Sequence, residues 1–66
     1  MVVSINGKIN AVAENLSLSQ LIDYLKIDPE GKAIAVNQNV ISKNKWNETI
    51  IKENDKIIII TATQGG

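Results

Sequence analysis

Apolar and polar positions along the 66 residues fall into a few distinct patterns. The first stretch, "VVSINGKINAV", alternates on both sides of Asn6-Gly7 and predicts a β-hairpin. A two-residue turn sets Ile5 opposite Lys8, whereas a three-residue loop sets Ile5 opposite Ile9 and Val3 opposite Ala11. The second register gathers the apolar residues on one face and is the one the pattern favours. The next stretch, "NLSLSQLIDYLK", changes period. Leu18, Leu21, Ile22 and Leu25 follow the i, i+3, i+4, i+7 rule and predict a helix with one apolar stripe. Ser17 and Gln20 have the spacing of a capping box, and Leu16 and Leu21 that of a hydrophobic staple. The helix is expected to end at Asp28-Pro29-Glu30-Gly31, because Pro29 disfavours the helical conformation of the residue before it.

Alternation then returns. "KAIAVN" puts Ile34 and Val36 on one face and Ala33 and Ala35 on the other. "NVIS" is a possible short strand, "KNKWNETII" a loop with a helical turn, "ENDK" a turn and "IIIITAT" the last strand. The order hairpin, helix, then two or three strands predicts an α+β domain: a mixed sheet of four or five strands with one main helix packed on one face. The expected division is a domain over 1–62 and a flexible tail over 63–66. One helix covers one face of a sheet, so each strand should alternate apolar and polar. Ile57 to Ile60 break that rule by being apolar on both faces. High β-propensity in a central strand is one reading. The other is a docking surface, in which Ile58 and Ile60, with Ala33 and Ala35 beside them, form a shallow apolar patch on the open face.

Composition narrows the function. With 44% hydrophobic residues and twelve Ile, the chain has the means to build a core without Cys or His, and so without a disulfide or a Cys/His zinc site. Seven Lys balance seven acids, and no basic run tracks a phosphate backbone, so no nucleic-acid partner is expected. No apolar run approaches the roughly 20 residues of a membrane span, and no signal peptide is recognisable, so a cytoplasmic protein is expected. An enzyme reading finds no His, Cys or Arg and no carboxylate pair forced together by spacing. Gly7 and Gly31 are isolated turn glycines, and Trp46 reads as a loop-covering core residue.

The remaining candidate is the end, "TATQGG". At ordinary Gly usage of about 7%, two terminal glycines arise by chance in roughly one chain in 200. Lacking Cβ atoms, Gly65 and Gly66 suit a narrow cleft, and a carboxylate there is open on both flanks. A carboxylate is a poor electrophile, but joining it to AMP supplies a leaving group that a sulfur donor can displace.

The "ING" hairpin, "LSLSQLIDYL", "AIAVNQNVISKNKW", "ENDKIIII" and the final "GG" together resemble the ThiS family of sulfur carriers of thiamin biosynthesis, within the ubiquitin-like β-grasp superfamily. The resemblance spans the whole chain. The "AVNQNVISKNKW" phrase is the more specific part, since a terminal Gly-Gly is common to β-grasp carriers. The family usually has Gly-Asp where this chain has Asn54-Asp55, and Asn tolerates the same left-handed backbone. The resemblance implies a carrier rather than an enzyme. An adenylating enzyme of the ubiquitin-activating type would activate Gly66 with ATP and magnesium, and this chain itself would bind no cofactor. Sulfur from a donor such as a cysteine desulfurase would give the Gly66 thiocarboxylate, which thiazole synthase would use for the thiazole ring. Gln64 and Gly65 would thread into the partners' sites, and Ile58 and Ile60 would dock, with Ile57 and Ile59 facing the helix. Sister carriers for molybdopterin or tRNA thiolation, a protein-modifying tag, and an interaction module with an inert tail are the alternatives.

Overall fold

In the computed structural model, which describes residues 1–61, strands β1 (Val2–Ile5) and β2 (Lys8–Ala11) are followed by helix α1 (Leu18–Tyr24). Strands β3 (Lys32–Val36) and β4 (Asn39–Ile41), a 3-10 turn at Lys43–Lys45 and strand β5 (Lys56–Thr61) complete the described chain. The strands form one mixed sheet in the order β2-β1-β5-β3-β4. β5 lies at its centre, parallel to β1 and antiparallel to β3. This is the α+β architecture that the periodicities predict.

The first hairpin corrects the expected register. Ile5 pairs with Lys8, Ser4 with Ile9 and Val2 with Ala11, so the loop has two residues. The cause is local. Asn6 and Gly7 both take positive φ, 51° and 84°, the combination a type I′ turn requires. Nothing stands within 4 Å of an added Cβ at Gly7, so conformation rather than space favours glycine there. Ile9 is thereby turned to the open face. The β3–β4 hairpin uses the same device, with Asn37 and Gln38 at φ 50° and 74° between the partners Val36 and Asn39.

Helix α1 starts as predicted. The Gln20 N–H donates to the Ser17 hydroxyl at 3.1 Å, and the Ser17 N–H donates to Gln20 Oε1 at 2.9 Å. Its end is a second correction. Leu25 is the C-cap and Lys26 follows at φ 60°, four residues after Ile22 and well before Pro29. The Ile27 N–H donates to the Ile22 carbonyl and the Lys26 N–H to the Asp23 carbonyl, the pair of bonds that defines a Schellman motif. Left-handed Lys26 therefore stops the helix. Pro29 sits in the following turn, where the Glu30 N–H donates to Asp28 Oδ1.

Leu18, Leu21 and Ile22 of α1 are buried in one cluster with Val3, Ile5, Ile34, Ile57 and Ile59 of the sheet. Trp46 and Ile51 close that cluster, and Trp46 Nε1–H donates to the Ile41 carbonyl at 2.9 Å. Trp46 is thus the core residue the sequence predicts, with its one polar atom satisfied. The loop segment around it is tied to the helix start. Leu18 N–H donates to the Thr49 carbonyl, and Ile51 N–H to the Leu16 carbonyl.

Candidate functional site

The core takes one side of β1, β3 and β5. In β5, Ile57 and Ile59 are buried, whereas Ile58 and Ile60 are 43% and 54% exposed. The alternation of the isoleucine run is therefore positional rather than compositional. Ile58 lies beside Ala35, and Ile60 beside Ala33. The small alanines let the β5 side chains stand proud, since methyl groups flank them in place of longer chains. Ala35 is paired in turn with Val40 of β4, which is 77% exposed. On the opposite side, Ser4 links Lys56 of β5 to Ile9 of β2, 74% exposed.

Val40, Ala35, Ile58 and Ile60 thus form an apolar band on the open face, and Ile9 lies on the same face beyond Ser4 and Lys56. Solitary exposed apolar residues need no explanation, whereas several together on one face make that face a candidate interaction surface. A depression of about 340 Å³ opens on this face, lined by Ser4, Gly7, Gln38, Lys56 and Ile58.

The two sequence-predicted docking residues, Ile58 and Ile60, are brought together here. Ile9 and Val40 were missed. The Asn-Gly dipeptide was the signal for Ile9, since a two-residue turn inverts the face on which it lies. The three tail positions, Gln64, Gly65 and Gly66, lie outside the described residues. So do residue 62 of the expected domain and the whole expected tail over 63–66.

Two asparagines hold the strand that leads to this tail. At its start, the Lys56 N–H donates to Asn37 Oδ1 at 3.0 Å, and the Asn37 N–H donates to the Lys56 carbonyl at 2.8 Å. Asn37 Nδ2 also donates to Asp55 Oδ1 at 3.0 Å, and Asp55 Oδ2 accepts from the Lys52 N–H at 2.8 Å, closing the turn around left-handed Asn54. Further along, the Asn6 side chain bonds both polar backbone groups of Ile59. Other carboxylates make structural contacts, as Glu30 does with Lys43 at 3.8 Å. Glu53 accepts from the Val2 N–H. Among the described residues no cluster of three or more Asp, Glu, His or Cys is placed to hold a metal ion. No helix among them is long and apolar enough to cross a membrane.

Comparison with known proteins agrees with this geometry. The sequence profile of the ThiS family matches residues 3–66. A protein of Porphyra purpurea named ycf40 is 36% identical over 64 residues, covering 97% of this chain and 90% of that protein. The sulfur carrier protein ThiS of Escherichia coli is 24% identical over 66 residues and matches end to end, 100% of each chain. The crystal structure of the thiamine biosynthesis protein ThiS from Geobacter metallireducens superposes with a TM-score of 0.90 at 28% identity, covering all of both chains. With its central β5, single helix and full-length match, the chain belongs to the ThiS family and has its ubiquitin-like β-grasp fold.

Proposed function

We propose that this protein is a sulfur carrier of thiamin biosynthesis that works through the carboxylate of Gly66. The observation that carries the reading is the extent of the family match, which runs through residue 66 and so includes the Gly-Gly end. The full-length likeness to the sulfur carrier of Escherichia coli points the same way.

In this reading an activating enzyme of the ubiquitin-activating type binds the open face at Ile58 and Ile60 and draws Gln64, Gly65 and Gly66 into its site. The Gly66 carboxylate oxygen attacks the α-phosphorus of magnesium-bound ATP and pyrophosphate leaves. The persulfide sulfur of a donor such as a cysteine desulfurase then displaces AMP from the acyl carbon, and a thiol cleaves the resulting acyl disulfide, leaving as a disulfide with the donor sulfur and releasing the Gly66 thiocarboxylate. Thiazole synthase takes that sulfur into the thiazole ring. Catalytic groups come from the partners, and the carrier supplies a docking face and a reactive end. The exchange takes place in the cytoplasm, with ATP at hand.

The intact mass of the protein purified from its own cells tests this reading. A fraction heavier by the difference between sulfur and oxygen, located on the C-terminal peptide, is the expected result. Protein from cells with the activating enzyme deleted should lack it. Its persistence in those cells would contradict the route through adenylation.

A further inference from the structure

We infer that Asn6 is a positioning residue for the acyl-transfer tail: its carboxamide stands in for a missing peptide group of β1 and pins the end of β5 from which the tail departs. The inference rests on the carrier reading above for the importance of the tail, and on hydrogen-bond geometry for the pin itself.

Strand β1 runs parallel to β5 only as far as Ile5, which pairs with Ile57. At Asn6 the chain leaves the sheet direction and turns back into β2, with φ 51° at Asn6 and 84° at Gly7. The Asn6 N–H still donates to the Ile57 carbonyl, at 2.9 Å. A continuing parallel strand would next accept from the Ile59 N–H with a backbone carbonyl, then donate to the Ile59 carbonyl with a backbone N–H. The turn removes both groups, and the Asn6 side chain supplies both. Asn6 Oδ1 accepts from the Ile59 N–H at 2.8 Å, and Asn6 Nδ2 donates to the Ile59 carbonyl at 3.2 Å. A carboxamide has the planar donor and acceptor pair of a peptide group, so one side chain extends the ladder by one unit.

The position of this pin along β5 matters. Beyond Ile59 the strand keeps partners on the β3 side, Ala33 for Ile60 and Lys32 for Thr61. The registered pairing of β1 with β5 ends earlier, at Ile57. Among the described residues, Asn6 thus makes the last hydrogen bonds to β5 from the β1 side. Gly66 lies seven residues beyond Ile59, a reach of at most about 25 Å. Fixing the point of departure narrows the range of positions that the end of the chain can sample, and errors of about 1 Å at a reacting centre cost up to about 100-fold in rate. Asn37 makes a comparable bond to the opposite end of β5, at Lys56, remote from the tail. It provides an internal control.

The test uses Asn6→Gly and Asn37→Gly in the full chain. Glycine keeps the positive φ of each type I′ turn, so both hairpins should survive. Amide hydrogen exchange in the free protein reads the pin directly. Asn6→Gly should speed exchange at Ile59 by about tenfold or more while Leu21 and Ile22 in α1 keep their wild-type rates. With the activating enzyme and ATP, Asn6→Gly should lower kcat for acyl-adenylate formation about tenfold and leave KM within about twofold. Asn37→Gly should change neither constant. Asn6→Asp, which keeps the acceptor but faces the Ile59 carbonyl with a carboxylate, should fall between wild type and Asn6→Gly.

Unchanged exchange at Ile59 in Asn6→Gly, or equal acceleration throughout the core, overturns the pin. A rise in KM with unchanged kcat, or equal kcat losses in the two glycine variants, overturns its role in placing the tail. Wild-type protein that is not adenylated overturns the carrier reading and, with it, the tail-placing role, whatever the exchange data show for the pin.

Discussion

Ser17 is 3% exposed and yet carries a hydroxyl, which the fold accommodates by making it the N-cap of α1. Its reciprocal bonds with Gln20 satisfy two amides that the first helical turn leaves without carbonyl partners. Ser17→Ala should therefore cost about 1 kcal/mol, measured by urea denaturation. An unchanged denaturation midpoint would show that the cap contributes nothing. At the other end, Lys26 holds φ 60° without the freedom of glycine. Lys26→Gly relieves this side-chain penalty at the C′ position, so it should stabilise the domain by roughly 0.5–1 kcal/mol and raise Tm by about 2–8 °C. A fall in Tm would mean that the left-handed turn is not the strained point it is taken to be.

Among the elements, β5 carries the most information. It is central in the sheet, buried on one face at Ile57 and Ile59 and exposed on the other at Ile58 and Ile60. Ile58→Lys should consequently leave stability within about 1 kcal/mol of wild type. It should weaken binding to the activating enzyme at least tenfold, because a charge replaces the centre of the apolar band. Calorimetric titration checks this, and unchanged affinity would move the docking surface elsewhere. Period 2 divides the isoleucines of β5 into two sets, and the resemblance to ubiquitin-like folds assigns Ile57 and Ile59 to the helix side, as the structure has them. The capping box at Ser17 was legible too, since it depends on spacing alone. The register of the first hairpin was not. Pairing Ile5 with Ile9 optimises the hairpin by itself, but the sheet needs Val3 and Ile5 for its core, and the Asn6-Gly7 turn dictates a two-residue loop. Ile9 and Val40 consequently joined the open face only in three dimensions. The end of α1 was hidden for another reason. A Lys in the left-handed conformation leaves no compositional trace, whereas Pro29 is conspicuous and acts only in the next turn.

For the molecule as a whole, a 66-residue chain leaves much of its surface exposed, and its stability is held by one cluster between α1 and the sheet. That cluster lies wholly on the helix side, so the open face is free for a partner and changes there do not compete with folding. In the proposed reading stability and recognition fall on opposite faces of the sheet, and the reactive end is Gly66. In the proposed function Gly66 carries the reacting carboxylate. The most direct test of this claim is ATP-dependent acyl-adenylate formation by the cognate activating enzyme, read by intact mass on wild-type protein and on a chain lacking Gly66. The missing residue withdraws the carboxylate by roughly 3.5 Å, far more than an active site tolerates. The account predicts unchanged thermal melting, adenylation of the wild type and none of the shortened chain. A shortened chain adenylated at the wild-type rate would contradict it.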